Sequence, residues 1–318
     1  MMTPTLDEIR ARSQAPVAKY NDVAGRLVGD RLSIHFTRLF LQRGWSPTCA
    51  TLGMLFFGLV GSAFLPFGGV SSVVGFALVF LYYVCDCIDG EVARFRKIED
   101  LSWGFHDFLF HLYVKSAFFL ALGVWAARST GEGWMFVVGV VALLGALFTK
   151  FLEATAILVT ARQVLLKPEE QSEGMLSRLG AWQPAAEPEG PGSRETGLGL
   201  LRAVLTNFDL SILLFLTVAV IDLFAAPTWV GGLALDGKTL LLCFYAVLLP
   251  LDYLDRKWTL LRSDGFRDRS RRLLAGAERF RAEQRNGVPP SSPEESAGTQ
   301  ETADVRDASR IANTPAQR

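Results

Sequence analysis

An apolar run passes directly into acidic residues in the stretch GFALVFLYYVCDCIDGEVARFRKIEDLSWGFHDFLFH, residues 75–111. Asp86 and Asp89 lie where the first apolar segment stops, and Asp107 and His111 lie where the next one begins. Ionised side chains are costly within a lipid bilayer and usually mark a functional site there. The stretch therefore bears on both the fold and the function of the chain.

Other apolar runs of this kind indicate the fold class. The chain has 318 residues, half of them hydrophobic, and its mean hydropathy is +0.27. The apolar residues gather in runs of about 20, which suffices to cross a hydrocarbon core of ~30 Å at ~1.5 Å per residue. We predict an all-α integral membrane protein with six transmembrane helices, at residues 48–66, 70–90, 103–125, 133–160, 198–224 and 239–261.

The segments outside these spans divide the chain into three parts. VGDRLSIHFTRLFLQRGW, residues 28–45, has apolar residues at helical spacing among arginines, which is typical of an amphipathic helix at a membrane surface. We assign residues 1–46 to an N-terminal segment with this interfacial helix and residues 47–262 to the six-span domain. Residues 263–318 are predicted to form a basic helix and a disordered tail, and residues 168–196 a flexible loop.

The distribution of charge predicts partners and orientation. Lys plus Arg and Asp plus Glu both number 32, so no net field favours a nucleic-acid partner. Basic residues follow the second, fourth and sixth spans, whereas the opposite joints carry only Arg128 and Lys238. By the positive-inside rule, both termini and the 86–111 stretch are expected to face the cytoplasm, in a bacterial inner or plasma membrane.

The acidic residues are spaced so that they share helix faces. Four positions of the second span follow an i, i+3, i+4, i+7 pattern: Asp86, Asp89, Gly90 and Ala93. Asp107 and His111 are spaced i, i+4 on the third span. If the two helices run antiparallel with these faces opposed, they form a pocket of three carboxylates and an imidazole. Carboxylate oxygens suit a hard divalent cation, and the two small residues leave room for a bulky ligand.

These spaced residues resemble the signature of the CDP-alcohol phosphotransferases, D-x2-D-G-x2-A-R-x8-G-x3-D-x3-D. The segment RLFLQRGWSPTCAT, residues 38–51, is similar to the surface helix of that family and the start of its first span, so the resemblance covers about residues 25–260. It implies a reaction in which an acceptor hydroxyl attacks a CDP-linked alcohol and CMP leaves. Two ions of Mg²⁺ or Mn²⁺ would bind the diphosphate, because two metals can stabilise charge on both sides of the phosphorus.

The resemblance also implies roles for single residues. It makes Asp86, Asp89, Asp107 and His111 metal ligands, with His111 also the catalytic base. It makes Gly90, Ala93 and Arg94 nucleotide contacts, together with Pro47 and Thr48 at the start of the first span. The implied partners are a CDP-linked donor, an acceptor alcohol, membrane lipids and a second copy of the chain in a homodimer.

The chain departs from the family signature at two positions. Trp103 stands where the family has glycine, with Gly104 one place later, and His111 stands where it has the fourth aspartate. A neutral imidazole can accept a proton or bind a metal, but it lacks the negative charge that would hold a second ion tightly. A catalytically retired homologue that binds nucleotide or lipid is therefore an alternative, and a polar-solute transporter is a weaker one.

Further polar residues lie in the cytoplasmic halves of the predicted spans. Two interpretations stay open for them: they contact the acceptor alcohol, or they form polar ties between helices. They are Lys115, Lys150, Glu153, Asn207 and Asp209.

Overall fold

The computed structural model describes residues 4–18, 28–98, 101–165 and 197–262. Most of this described chain is helical. The predicted flexible loop at 168–196 and the predicted C-terminal part at 263–318 lie outside the described residues. Of the described residues, 4–18, 28–98, 101–155 and 197–258 belong to one compact unit, which carries the site and the side-chain contacts discussed below, and 156–165 and 259–262 belong to a second.

The helices of the described chain follow one another with short joints. The N-terminal segment contains α1 (Leu6–Ile9), a π-helical turn (Arg10–Gln14), a 3-10 turn (Ala15–Val17) and α2 (Asp30–Arg43). Then come α3 (Pro47–Phe64), a 3-10 turn (Leu65–Phe67), α4 (Gly69–Arg96), α5 (Leu101–Thr130) and α6 (Met135–Leu165). The last elements are α7 (Gly197–Thr206), α8 (Phe208–Ile221), β1 (Thr228–Val230), β2 (Leu233–Leu235) and α9 (Gly237–Arg262).

Five of the described helical segments are long and apolar enough to cross a membrane. They are Pro47–Phe67, Gly69–Arg96, Gly104–Thr130, Met135–Leu152 and Gly237–Leu260. The predicted span at 198–224 differs, because it is divided into α7 and α8 at Asn207. The backbone of Asn207 is extended, and its side chain accepts hydrogen bonds from the amides of Asp209 and Leu210, so it caps α8.

Glycines allow close approach of the helices. A Cβ added to Gly61 of α3 would lie 2.7 Å from the carbonyl oxygen of Gly75 on α4, so the two backbones are in contact there. Gly123 of α5 and Gly139 of α6 meet in the same way. Small residues at helix crossings are typical of membrane bundles, in which close packing replaces the hydrophobic effect as the driving force.

The helix α2 lies within the segment for which the sequence predicts an amphipathic helix at the membrane surface. Its buried face, Ser33, Ile34 and Thr37, packs on α4. Leu32, Phe36 and Leu39 lie on the exposed side. Ile34, Phe40 and Leu41 pack toward the bundle, so α2 has apolar residues on both its inner and its exposed side. Exposed apolar residues of this kind suit contact with lipid at a membrane surface.

A hairpin that the sequence did not indicate joins α8 to α9. Its strands β1 and β2 are antiparallel, with Thr228 opposite Leu235 and Val230 opposite Leu233. The two loop residues, Gly231 and Gly232, both have positive φ, +58° and +85°, as a two-residue hairpin loop requires.

A buried ion network lies next to this hairpin. Lys238 Nζ is 2.6 Å from Asp222 Oδ2 and 2.9 Å from Asp236 Oδ2, and Trp125 Nε1 donates to Asp236 at 2.8 Å. Burial raises the pKa of Asp236, but hydrogen bonds with Thr239 and Lys238 outweigh it and hold that pKa below its ordinary value. The network ties the ends of α5 and α8 to the start of α9.

Candidate active site

One cavity of about 430 Å³ lies where the predicted acidic faces meet. Residues of α4, α5, α6 and α8 line it, together with Asp30 at the start of α2. The lining residues are Asp30, Tyr82, Tyr83, Asp86, Cys87, Asp89, Gly90, Glu91, Arg94, Asp107, Phe108, His111, Leu112, Lys115, Lys150 and Asp209. The structure thus gathers the predicted carboxylates, the imidazole, Gly90 and Arg94 around one space.

His111 lies between two of the carboxylates. Its Nε2 is 3.1 Å from Oδ1 of Asp86 on α4 and 3.6 Å from Oδ1 of Asp107, one turn earlier on α5. The two helix faces that the spacing predicted to oppose one another therefore meet through these three side chains.

The other ring nitrogen of His111 is held by a buried phenol. Tyr82, one turn before Asp86 on α4, places Oη 2.5 Å from His111 Nδ1, and Tyr82 is fully buried. A histidine whose second nitrogen is hydrogen-bonded has a fixed ring orientation, and the partner determines which tautomer is favoured. The sequence signal for Tyr82 was its spacing, i−4 from Asp86, but the apolar run around it masked that signal.

Asp89 stands apart from this trio. Its Oδ2 accepts a hydrogen bond from Thr51 Oγ1 of α3 at 3.0 Å. The same hydroxyl lies 3.2 Å from the carbonyl oxygen of Pro47, one turn earlier, so the two acceptors share its single proton. Thr51 therefore links α3 to Asp89 of the predicted site. Pro47 and Thr48 lie at the start of the same helix and are not among the lining residues of the described chain.

Arg94 and Gly90 are neighbours on the cavity wall. A Cβ built on Gly90 would lie 3.0 Å from Nη1 of Arg94, so the guanidinium covers the small residue. Arg94 Nε donates to the carbonyl of Ser13 at 2.7 Å. Ala93 is half-buried and is not among the lining residues of the described chain, so its contact with nucleotide stays a prediction.

Glu91 is a site residue that the sequence reasoning missed. Its side chain is 1% exposed and accepts three hydrogen bonds. These come from Gln14 Nε2 at 2.8 Å, Ser33 Oγ at 2.5 Å and Thr37 Oγ1 at 2.6 Å. Glu91 occupies an unspecified position of the family signature, so the resemblance carried no information about it.

The five polar residues for which the sequence left two interpretations do not share one location. Lys115, Lys150 and Asp209 line the cavity, and Lys115 is 7% exposed, with Nζ 5.0 Å from the centre of the Phe208 ring. Asn207 acts as a helix cap, and the side chain of Glu153 lies outside the described residues.

The trio of Asp86, Asp107 and His111 fits a metal ion. One ligand atom from each residue lies within 4.8 Å of the others. Oδ1 of Asp107 is buried and has no hydrogen-bond partner within the described chain, because Nε2 of His111 at 3.6 Å is too far for a hydrogen bond. A buried oxygen without a hydrogen bond is costly. A hard divalent cation bound there would satisfy that oxygen, and two carboxylates with an imidazole are suitable ligands for Mg²⁺ or Mn²⁺.

Comparison with known proteins adds no relative. No protein-family model matches the chain, and no curated protein sequence matches it. The spaced residues and their geometry therefore carry the functional argument alone.

Proposed function

We propose that this chain is a membrane phosphotransferase of phospholipid synthesis. It transfers a substituted phosphate from a CDP-linked donor, CDP-diacylglycerol or a CDP-alcohol, to an acceptor hydroxyl and releases CMP. The observation that supports this most is the cavity itself, in which Asp86, Asp107 and His111 meet within reach of one ion while Gly90 and Arg94 line the same wall. Such a site suits a metal-bound diphosphate, because the acids can hold the ion and the guanidinium can contact phosphate oxygens.

The proposed membrane arrangement has six crossings. Five are the long apolar helices, and α7 with α8 forms the remaining one. The two ends of α8 support this, because Asp209 lines the cavity near its start and Asp222 binds Lys238 next to its end. The charge distribution supports a cytoplasmic position for the cavity and both termini, in a bacterial inner or plasma membrane, and the resemblance supports a homodimer.

In the proposed reaction, His111 takes the proton of the acceptor hydroxyl at Nε2. That nitrogen must have an unshared electron pair. Nδ1 therefore carries the ring proton and donates a hydrogen bond to Tyr82 Oη. Asp86 and Asp107 would hold the ion while His111 acts as the base, because the one lone pair of Nε2 cannot bind an ion and accept a proton at the same time. A bound Mg²⁺ or Mn²⁺ would supply charge neutralisation at the diphosphate. Arg94 holds the phosphate or nucleotide at the wall of the cavity through its terminal nitrogens.

A second candidate function is that of a retired homologue that binds nucleotide or lipid without turnover. The observation that favours it is the pairing of His111 with Asp86. If Nε2 carries a proton, it donates a hydrogen bond to Asp86. The imidazole then lies between two carboxylates that a cation would otherwise bridge.

The test is a release assay with the purified full-length chain in lipid nanodiscs. CDP-diacylglycerol or a CDP-alcohol is supplied with candidate acceptor alcohols and Mn²⁺ or Mg²⁺, and CMP is quantified. We expect CMP release that stops when the metal is chelated and in the variant Asp86→Asn. Metal-dependent binding of CDP without release from any donor would contradict the proposal and support the retired homologue.

A further inference from the structure

Three consecutive residues of the N-terminal segment contact the last turns of α4. The guanidinium of Arg12 lies 5.3 Å from the ring centre of Phe95, and Gln14 donates to the carboxylate of Glu91. Between them, the carbonyl of Ser13 accepts the hydrogen bond of Arg94 Nε. The segment thus runs along the helix end that lines the cavity, and Ser13 and Gln14 are buried there.

Glu91 is the polar centre of this contact. Its carboxylate receives the amide of Gln14 from the N-terminal segment and the hydroxyls of Ser33 and Thr37 from α2. Gln14 Nε2 also donates to the carbonyl of Asp30, at the start of α2. A buried carboxylate is costly unless it is hydrogen-bonded, so the three donors and Glu91 depend on one another.

The contact holds the guanidinium of Arg94 at Nε. Nε is engaged by a main-chain carbonyl of the N-terminal segment, while Nη1 lies over Gly90 at the cavity wall. A guanidinium bound at Nε can still present its planar fork of terminal nitrogens to a phosphate, and fixing its plane in advance lowers the entropic cost of that contact.

We propose that Glu91 is a positioning residue: its buried carboxylate anchors residues 13–14 against α4, and the carbonyl of Ser13 then orients Arg94 toward a phosphate-bearing ligand in the cavity. The ligand class is a nucleoside diphosphate, so the inference rests on the proposed function. Glu91 itself does not touch the ligand. The N-terminal segment is by this account a part of the binding site and not only a membrane anchor.

The experiment combines two measurements that need no activity, amide hydrogen exchange and affinity for CDP, with the kinetics of the CDP-linked donor. Amide hydrogen exchange of residues 4–18 is followed in the wild type, Glu91→Gln and Glu91→Leu, and affinity for CDP with Mn²⁺ is measured on the same samples. Gln keeps the acceptor oxygen for Gln14 and Ser33, whereas Leu removes every acceptor. We expect exchange to quicken about tenfold or more in Glu91→Leu and little in Glu91→Gln.

The ligand measurements separate positioning from simple support of the fold. In Glu91→Leu, KM for the CDP-linked donor and Kd for CDP should rise about tenfold while kcat changes little, which is the pattern of lost binding. Gln14→Ala should raise them similarly, and the double variant should do no worse, because both changes release the same contact. Arg202→Gln is the matched control: it breaks the bonds of Arg202 with Asp252 and Asp255 outside the cavity lining and should leave both constants unchanged.

Each outcome has one meaning. Unchanged exchange of residues 4–18 in Glu91→Leu overturns the anchoring. Faster exchange with unchanged CDP affinity shows that Glu91 only supports the fold and overturns the positioning role. A wild type that neither binds CDP nor releases CMP overturns the proposed function, and the positioning role with it, even if the exchange result matches.

Discussion

Tyr82 Oη lies 2.5 Å from Nδ1 of His111, so a fully buried phenol holds the imidazole at the nitrogen that faces away from the carboxylates. This contact determines how the ring is turned toward Asp86 and Asp107. It also makes the state of Nε2 depend on a residue that lies deeper in the bundle. The chemistry proposed for His111 therefore depends on Tyr82.

Removing the hydroxyl of Tyr82 should impair the site and not the fold. Tyr82→Phe keeps the ring that packs in the core but releases the imidazole, and loss of such an outer contact costs about 10–100-fold in activity or metal affinity. CMP release and Mn²⁺ affinity are measured together. Tyr245→Phe is the control, since Tyr245 is equally buried but is not among the cavity-lining residues of the described chain. Equal effects of both variants would assign Tyr82 a packing role only.

Neutralising Asp107 should stabilise the metal-free protein and abolish its response to metal. Oδ1 of Asp107 is buried without a hydrogen-bond partner in the described chain, and a charge in that position opposes folding. In Asp107→Asn we expect a higher thermal midpoint without metal and no rise when Mn²⁺ is added, because bound ligand stabilises only the form that binds it.

Asp89→Asn serves as the comparison for Asp107→Asn. Asp89 is hydrogen-bonded to Thr51 and lies outside the trio, so this variant should keep most of the Mn²⁺-induced rise in the thermal midpoint. It should lose turnover, because the resemblance makes Asp89 a ligand of the metal at the diphosphate. Thermal unfolding in detergent with and without Mn²⁺ measures the response of the two variants to the ion. CMP release measures their turnover. An undiminished Mn²⁺ response in Asp107→Asn would remove Asp107 from the ion site.

The α3–α4 contact should not tolerate a methyl group. A Cβ on Gly61 would lie 2.7–2.8 Å from backbone atoms of α4, so Gly61→Ala must push the two helices apart. We expect a loss of about 1–3 kcal/mol in the free energy of unfolding. Gly104→Ala is the matched control, because nothing lies within 4 Å of a Cβ placed there. Denaturant unfolding of both variants makes the comparison, and equal stability would contradict the close approach.

Acid should weaken the network beside the hairpin. The folded-state pKa of Asp236 lies below the ordinary value of 3.8, so its ionised form is favoured by folding. This stabilisation is complete above the ordinary pKa and is lost as pH falls through the lowered folded value. Asp236→Asn should therefore destabilise the protein at pH 7 by about 1–3 kcal/mol, and by less at a pH well below the ordinary value of 3.8. Thermal unfolding at both pH values decides, and a difference that does not shrink in acid would contradict the assignment.

The sequence predicted the site better than the path of the chain. The i, i+4 spacing of Asp107 and His111 and the spacing of Asp86 and Asp89 were enough to predict that two helix faces oppose one another. Helical periodicity fixes faces within an element, so the meeting of His111 with Asp86 was accessible from spacing alone. The separation of Asp89 from the trio was not, because it depends on a hydrogen bond from Thr51 of another helix.

Other features depend on long-range contacts that leave no local pattern. Hydropathy treats residues 198–224 as one apolar run, whereas the side chain of Asn207 caps a new helix within it. Glu91 drew no prediction from the sequence, because only the folded chain brings Gln14, 77 positions earlier, to it. Gly231 and Gly232 form the loop of the hairpin between α8 and α9. Two adjacent glycines predict a turn but not the strands on either side of it.

The central claim is that Asp86, Asp107 and His111 form a working site for metal-dependent release of CMP. The most direct test is CMP release at saturating Mn²⁺ by the wild type, His111→Ala and His111→Asp, with CDP affinity measured in parallel. We predict that the wild type turns over, that His111→Ala loses most turnover but still binds CDP, and that His111→Asp keeps part of the rate and binds Mn²⁺ more tightly. A wild type that binds CDP and Mn²⁺ but never releases CMP, beside a His111→Asp variant that gains turnover, would contradict the claim.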